Sequence, residues 1–494
     1  MIAASRPPIA VVAALSLLAG CMVGPDYVRP ETSVPVQFTE TGPWKEAVPQ
    51  ETIGRGDWWT LFNDPVLNAL QAEAIRQNPD LRAVAARVLQ AQAMAGISKS
   101  YLYPEVNAGG VGQYFVNNPN FATLIDPALI SANTPIMTGA YKAVPLYATY
   151  EIDLWGRLRR QTESASAELG ASIANFQTAM LTLNGDVAQT YFEVRATDEL
   201  HRLLVENINL HRSSVGLFRA LRGDGLANEI ALSEVETSLR TTEAQAQAIE
   251  GQRIKLVNKL AILTGANPEG FSLPRQPFDR TVPAVPVGLP SDLLERRPDF
   301  AEAEREMAAA NARIGVAVAA YYPSIKLTSS VGFESFDLST LTNPTSNIWG
   351  IGFSLFQQIF NAGRITLNVE RTRAAYQERV ALYQAVLLRG FQEVETSLGQ
   401  LRTLSEQARY QQLAVASANR TASLVTQRFS QGLISQVEVL VARRAVLAAQ
   451  SVSVQIVNTQ FVTTIALVKA LGGGWQDRQV PDGSRSMWAP PLKK

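Results

Sequence analysis

The chain of 494 residues contains one cysteine and two histidines. A single thiol excludes a disulfide scaffold, and His201 and His211 lie ten residues apart, far from the i, i+4 spacing of a helical metal pair. We therefore expect both histidines at the surface, and neither a metal nor another cofactor. Lysine plus arginine equals aspartate plus glutamate at 44 each, so the chain has no basic field for nucleic acid. Walker, HExxH and dinucleotide glycine patterns are absent, which argues against an enzyme.

Long apolar runs are also lacking. No stretch of 18 or more apolar residues occurs, so we expect no membrane-spanning helix. The apolar run at 9–19 is too short to span a bilayer but suits a secretory signal peptide over 1–20. It ends in Leu18-Ala19-Gly20-Cys21, which is similar to the bacterial lipoprotein box, so the prediction is a covalent lipid on Cys21. The alternative is an ordinary signal peptide followed by a stray cysteine.

The sequence contains an internal duplication. Asn78-Pro79-Asp80-Leu81 recurs as Arg297-Pro298-Asp299-Phe300, and in both copies a Tyr-Pro pair follows, its proline 25 positions after the first proline. Leu154-Trp155-Gly156-Arg157 corresponds to Asn361-Ala362-Gly363-Arg364, and in both copies a Gly-Leu pair follows, its glycine 69 positions after the first glycine. Landmarks in register over so long a stretch indicate a repeated structural unit.

Composition and periodicity divide the chain into six segments. Proline-rich stretches of little periodicity mark an arm after the signal peptide and a linker between the repeats. The predicted segments are the signal peptide (1–20), a lipidated extended arm (21–57), repeat 1 (58–270), a linker (271–290), repeat 2 (291–474) and a C-terminal tail (475–494).

Each repeat is predicted to begin with a helix, over about 65–102 and 291–321, and to end in a long helical hairpin. Residues 157–222 lack proline and are rich in alanine, which predicts a helix of about 100 Å. Apolar residues at alternating spacings of three and four in the returning helices favour an antiparallel coiled coil. A globular helical bundle is the alternative. The predicted turns are Gly223-Asp224-Gly225 and the Gly432 region.

Between the helices, each repeat contains two segments of alternating apolar and polar residues. They lie at about 104–117 and 141–154, and at about 323–335 and 347–358. Each has the length of a tilted strand that crosses an outer membrane, although a soluble sandwich with one wet face is the alternative. Pro145 predicts a kink or bulge inside its strand. Four strands are too few for a transmembrane barrel, so membrane strands would require several copies of the chain.

Four stretches resemble the TolC-like outer-membrane efflux channels, specifically the lipoprotein branch that partners resistance-nodulation-division pumps. They are Cys21-Met22-Val23-Gly24-Pro25-Asp26-Tyr27, Tyr150-Glu151-Ile152-Asp153-Leu154-Trp155-Gly156-Arg157, Asn361-Ala362-Gly363-Arg364 and Arg428-Phe429-Ser430-Gln431-Gly432-Leu433. The resemblance implies an α+β membrane protein, with a long antiparallel α-helical coiled-coil barrel and a transmembrane β-barrel of twelve strands shared by three chains. The implied partners are two further copies in a homotrimer, a periplasmic adaptor, an inner-membrane pump and outer-membrane lipid.

The resemblance implies that the protein is the outer-membrane exit duct of a tripartite efflux system, which conducts small molecules passively. The segments 117–141 and 336–347 would be outer loops. Residues implied to seat the adaptor at the periplasmic tips are Gly223, Gly225, Leu226, Gly432, Leu433 and Ser435. Candidates for the periplasmic aperture are Glu438, Phe429, Asp224 and Glu229, and the strand-to-helix turns would be formed by Gly156, Arg157, Gly363 and Arg364.

Each of these assignments has a simpler alternative. The glycines could only permit a helix reversal, Glu438 could be a solvated residue of a helix face, and Phe429 could be a seam contact. Ala231 stands where the second repeat has Glu438, so the first repeat lacks that acid. The channel of a type I secretion system and a periplasmic adaptor lipoprotein are the competing functions.

Overall fold

A computed structural model describes residues 22–30, 57–116, 138–224, 228–279, 281–283 and 297–473. The predicted signal peptide, Cys21, most of the arm, part of the linker and the tail lie outside these residues, and the six-segment division stays a prediction. The chain forms two compact units. The first unit comprises Met1–Pro30, Gln90–Gly170 and Arg305–Ala381, and the second comprises Glu31–Leu89, Ala171–Glu304 and Leu382–Lys494.

The helices of the two repeats match in length. Repeat 1 contains α1 (Pro65–Gln77), α2 (Pro79–Ser100), α3 (Arg157–Gly223) and α4 (Glu229–Leu263), and repeat 2 contains α5 (Pro298–Ala319), α6 (Arg364–Ser430) and α7 (Gln436–Ala470). Helices α3 and α6 each have 67 residues, and α4 and α7 each have 35. At 1.5 Å per residue, the long helices are about 100 Å in length.

The helix predicted over about 65–102 is two helices, which corrects the sequence prediction. Asn78 ends α1 and caps α2, because its side-chain oxygen accepts the Leu81 N–H at 2.8 Å. Pro79 follows at the first helical position, where a missing N–H is tolerated. A proline here starts a new helix instead of extending the preceding one.

The residues that precede the two prolines make the same contact in both repeats. The Asn78 side-chain amide donates to the Leu263 carbonyl at the end of α4, at 2.9 Å. The Arg297 guanidinium donates to the Ala470 carbonyl at the end of α7, also at 2.9 Å. Both carbonyls belong to the last helical turn and have no partner within their own helix. The duplication therefore extends from the sequence to individual hydrogen bonds.

Five strands in the first unit form one antiparallel sheet. Strands β1 (Glu105–Ala108) and β2 (Val111–Val116) both pair with β3 (Thr138–Ile152), which pairs with β4 (Ser324–Ser335), and β4 pairs with β5 (Asn347–Phe356). The first predicted strand is thus two, and β3 begins inside the predicted loop 117–141. The predicted loop 336–347 contains two short 3-10 helices, Leu338–Thr340 and Pro344–Ser346.

Pro145 interrupts the partner strand without a bulge in the part of the sheet that the structure describes. Ala108 pairs with Leu146 and Val111 with Ala143, so the register is the same on both sides of the gap. Gly109 still donates its N–H to the Pro145 carbonyl at 3.0 Å, but proline has no N–H to return the bond, so the regular ladder is interrupted at the two intervening glycines. Of the two predicted possibilities, a bulge at Pro145 is therefore wrong and a kink stays a prediction, and the effect of the proline appears in the neighbouring strand.

The two faces of the sheet differ in polarity, as the alternation predicts. Val144 pairs with Phe333, Leu146 with Val331, and Leu327 with Phe353, which brings the apolar positions of three strands to one face. This face is exposed, and its large side chains are Val106, Val144, Leu146, Leu327, Val331, Trp349, Ile351, Phe353 and Leu355. On β4, the opposite face presents Ser324, Lys326, Thr328, Ser330, Gly332 and Glu334.

The second unit has a helical core that includes the predicted seam of α4. Leu232, Val235, Leu239 and Ala246 are buried against α3, and Leu440 of α7 belongs to the same cluster. Helix α7 has the length and apolar composition of a membrane span, the one such helix among the described residues. Half of its most apolar stretch is buried inside the fold, which is the pattern of a core helix.

His211 corrects the prediction that both histidines are surface residues, because its side chain is only 3% exposed. It lies three residues after Ile208 and four before Val215, on the buried face of α3. Burial, and then the nearby charge of Arg444, lowers the pKa of His211.

Candidate functional site

The tip between α6 and α7 is closed by a hydrogen-bonded helix end. Gly432 has φ of +74° and donates its N–H to the Phe429 carbonyl at 2.9 Å. The Leu433 N–H donates to the Arg428 carbonyl at 3.0 Å. These two bonds form a Schellman motif, in which a left-handed residue ends the helix. No atom of another described residue lies within 4 Å of the position a Cβ would take on Gly432, so its positive φ is the reason for the glycine.

At the tip between α3 and α4, the first helix ends differently from α6. Helix α3 continues through Gly223, so the reversal starts at Asp224, one residue later than the predicted turn. Gly225 and Leu226 lie outside the described residues. Asn228 caps α4, because its side-chain oxygen accepts the Ala231 N–H at 2.9 Å.

The four aperture candidates are divided between the two tips. Glu438 and Ala231 each lie three residues after the cap of the returning helix, which confirms that these positions correspond. The Glu229 carboxylate pairs with Arg222 at 2.8 Å, whereas Glu438 and Asp224 are exposed and have no ion-pair partner among the described residues. Phe429 is half-buried.

At the tip of the second repeat, the residues predicted to seat an adaptor differ in exposure. Leu433 and Ser435 are exposed, and Ser435 precedes α7 without a side-chain cap bond. These positions have the exposure that docking requires, and the assignment of aperture and docking roles stays a prediction.

Left-handed glycines form both strand-to-helix turns. Gly156 has φ of +77° and Gly363 has φ of +81°, at equivalent places in the two repeats. The Arg157 guanidinium donates to the Glu151 carboxylate at 2.8 Å, and Arg364 donates to the Gln358 side chain at 3.1 Å. Each arginine thus ties the first turn of its helix back to the end of the preceding chain segment.

Residues 22–30 are the described part of the N-terminal arm, and they are bound beside the Gly156 turn. The Val23 N–H donates to the Trp155 carbonyl at 3.1 Å, and the Arg160 guanidinium donates to the Asp26 carboxylate at 2.6 Å. Arg160 is buried, and hydrogen bonds to Asp26 and Glu163 raise its pKa although burial alone would lower it.

Two close backbone approaches hold the arm in place. A Cβ on Gly24 would lie 2.5 Å from the Gly315 Cα, and a Cβ on Gly156 would lie 2.7 Å from the Met22 side chain. The sequence reasoning named Gly156 but missed Arg160 and Gly315, whose contacts depend on tertiary structure.

A metal site in a protein is usually formed by several histidine, cysteine, aspartate or glutamate side chains that lie close together. Within the described ranges, no three of these side chains come together in an arrangement suited to a metal ion.

Known proteins match the chain over most of its length. The family described as "Outer membrane efflux protein" matches residues 70–266 and 289–473, one match in each repeat. The cation efflux system protein CusC of Escherichia coli is 30% identical over 468 residues, covering 93% of this chain and 97% of CusC. The pyoverdine export outer membrane protein OpmQ of Pseudomonas aeruginosa is 33% identical over 427 residues, covering 85% of this chain and 88% of OpmQ.

Solved structures match the fold over nearly the whole chain. The CmeC outer-membrane channel of Campylobacter jejuni has a TM-score of 0.85 at 26% identity, covering 93% of this chain and 96% of CmeC. The outer-membrane channel OprN has a TM-score of 0.84 at 25% identity, covering 92% of this chain and all of OprN.

The long paired helices, the sheet with an exposed apolar face and these likenesses define an outer-membrane channel of mostly helical content. The chain belongs to the outer membrane efflux protein family. It is the outer-membrane exit duct of an efflux system and works with other pump components.

Proposed function

We propose that three copies of this chain close a twelve-stranded β-barrel in the outer membrane and a helical barrel beneath it, forming a passive duct for small molecules. The observation that carries this proposal is the exposed apolar face of the sheet. Trp349, Ile351 and Phe353 are 77–80% exposed in the single chain, where they have no apolar partner layer. An apolar patch of this extent requires a covering phase, and bilayer lipid is the phase available to an outer-membrane protein.

The free edges of the sheet supply the reason for several copies. Strand β5 pairs only with β4 among the described strands, and β1 and β2 pair only with β3. Unpaired backbone groups are costly in lipid, so the outer edges of one chain must pair with those of another. Eight strands are about the minimum for a closed barrel, and the family resemblance selects three copies with four strand positions each.

The arm supports an anchoring role for a lipid on Cys21. Because the arm is hydrogen-bonded beside the end of β3, an acyl chain on Cys21 would enter the bilayer next to the barrel wall. The lipid is the covalent group that we propose for this chain.

The helix tips are the part of the chain that would connect the duct to the pump. The long helices, each about 100 Å, would cross much of the periplasm, so cargo need not re-enter it. A periplasmic adaptor would dock on the exposed tip residues, and an inner-membrane pump would supply the transport energy. Three copies of Glu438 around a narrow axis would repel one another and attract cations.

Two neighbouring positions of β5 provide the test. Ile351 belongs to the apolar face and Gly350 to the opposite face. A cysteine at position 351 would therefore face lipid, and a cysteine at position 350 would face the inside of the barrel. In intact cells, a membrane-impermeant thiol reagent should label Gly350→Cys from the duct, while Ile351→Cys stays protected by lipid. Equal labelling of both variants, or a monomer by mass measurement of the detergent-extracted protein, would contradict the proposal.

A further inference from the structure

The sheet of the first unit contains a joint between the two repeats. Strand β3 is the last strand of repeat 1, and it pairs with β4, the first strand of repeat 2, with Ile152 opposite Ile325. At the helix end of this joint, the Trp155 ring stacks on the Tyr322 ring with 4.6 Å between the ring centres. The Trp155 indole N–H also donates to the Pro323 carbonyl at 2.9 Å. The strand register and the turn that follows β3 are therefore fixed together.

The two outer edges of the sheet are made of the same two kinds of strand. Strand β5 is the last strand of repeat 2, and β1 and β2 together stand for the first strand of repeat 1. Strands β1 and β2 share one register against β3, so they act as a single strand. A further copy of the chain that brings its β1–β2 edge to β5 would therefore repeat the kind of joint that β3 makes with β4. Such a head-to-tail contact can close into a ring.

The duplication states which residues of the two joints correspond. Ile152 and Ile359 each lie four residues before the glycine of their strand-to-helix turn. Val106 and Ile325 each lie two residues after the proline of their Tyr-Pro pair. Because Ile152 lies opposite Ile325 inside the chain, the same joint between copies sets Ile359 opposite Val106 of the next copy.

The exposure of the edge residues agrees with this register. Counted along the antiparallel strands, the same register sets Ile351 opposite Tyr114, and these two side chains are exposed, as are Ile359 and Val106. The internal counterpart of Ile359 is covered to a greater degree, because Ile152 is 36% exposed whereas Ile359 is 89% exposed. The register matches apolar side chains with apolar side chains, so the apolar face continues from one copy to the next.

The polarity of the faces does not select this register by itself. A slip of one residue would turn the apolar side chains of one strand to the wrong face, but a slip of two residues would keep the faces matched. The internal joint removes this ambiguity, because the turn and the Tyr-Pro pair are landmarks in both repeats. The stacking contact is not repeated, since Ala362 stands where repeat 1 has Trp155.

We infer that the β5 edge is occupied by the β1–β2 edge of a second copy of this chain, in the register of the internal joint. This register sets Ser354 opposite Val111 and Phe353 opposite Gly112. The inference rests on the proposed function, since it deepens the closed barrel, and it specifies the contact between copies residue by residue.

Disulfide cross-linking of the full-length protein in isolated outer membranes tests the register. One variant combines Ser354→Cys with Val111→Cys, and a second combines Phe353→Cys with Gly112→Cys. Neighbouring pairs alternate between hydrogen-bonded and non-hydrogen-bonded, so one of the two variants places its thiols at the closer kind of pair. Oxidation with copper phenanthroline should convert at least one variant into a covalent trimer on a non-reducing denaturing gel.

The matched controls move one cysteine by two residues on the same face of the strand. They combine Ser354→Cys with Gln113→Cys, and Phe353→Cys with Tyr114→Cys. Diagonal neighbours lie about 7–8 Å apart, beyond the usual reach of a disulfide, so the yield of trimer should be at least about fivefold lower. The four single-cysteine strand variants measure any contribution of Cys21, and they should give no trimer.

Two results would overturn the inference. Equal or stronger cross-linking in the controls would contradict the register, and no cross-linking in any double variant would contradict the contact between the two edges. Thiol labelling at positions 350 and 351 reports which side of β5 faces lipid, independently of the strand that lies beside β5. Cross-linking in the controls with that labelling result intact would therefore remove the register but not the duct. Equal labelling of the two β5 cysteine variants would remove the duct itself.

Discussion

Replacing Arg297 with alanine should loosen the end of α7. The Arg297 side chain is 7% exposed, and its guanidinium donates to the Asp299 carboxylate at 2.6 Å, to the Glu393 carboxylate at 2.8 Å and to the Ala470 carbonyl at 2.9 Å. Its charge also lies 4.9 Å from the centre of the Phe300 ring. The substitution leaves a helix-end carbonyl and two carboxylates without their donor.

The size of the effect follows from the exposure of the partners. Breaking a fully buried ion pair costs about 3–5 kcal/mol. The Asp299 and Glu393 side chains are 29% and 55% exposed and regain water when the arginine is removed, so the expected loss is lower, about 2–3 kcal/mol. The loss should be local, because Arg297 ties one helix end to its neighbours.

Hydrogen exchange of the intact protein measures this local stability. Amides in the last two turns of α7 should exchange on the order of 30-fold faster in Arg297→Ala than in the unmodified protein. Asn78→Ala is the matched control, since it breaks the equivalent bond to Leu263 and should affect the end of α4 instead. Unchanged exchange at the end of α7, or equal loosening there in Asn78→Ala, would refute the reasoning.

Three further predictions concern other sites. Burial lowers the pKa of His211 in the folded protein, so the unfolded chain, which protonates below about pH 6.5, takes up its proton at a higher pH than the fold does. Stability should therefore decrease as the pH falls below about 6.5, and decrease less in His211→Gln, as measured by denaturant unfolding at about pH 7.5 and 5.5. Gly432→Ala places a side chain at positive φ and should lower the local stability of the α6–α7 tip by about 1 kcal/mol. Gly223→Ala replaces a helical glycine of α3 and should raise the local stability of the α3–α4 tip by about 0.5–1 kcal/mol. Hydrogen exchange measures both effects. Arg160→Ala should release the arm to limited proteolysis, and an arm as resistant as before would show that the backbone contacts alone hold it.

The sequence predicts the regular elements well where local signals are strong. The period of two in 323–335 locates β4 and assigns its faces, because a half-buried strand must alternate. The seam through Leu232, Val235 and Leu239 identifies the buried face of α4, since burial of a helix recurs every three or four residues. The matching intervals between landmarks predict that helices of equal length occur in both repeats.

Tertiary contacts account for the predictions that failed. His211 was expected at the surface because it forms no metal pair with His201, but it lies on the face of α3 that carries the buried Ile208 and Val215, and the packing of that face buries it. Pro145 acts on the strand beside it, which no local pattern in its own strand reveals.

The sequence by itself determined the duplication, the helix and strand periods and the conformation at Gly432, because each depends on local sterics or on the recurrence of apolar residues. Only the tertiary structure decided which distant residues meet. The ion pair of Asp26 with Arg160 and the hydrogen bonds from Asn78 and Arg297 to helix-end carbonyls are long-range contacts. Such contacts depend on how whole elements pack, and packing is a property of the folded chain that no short segment carries.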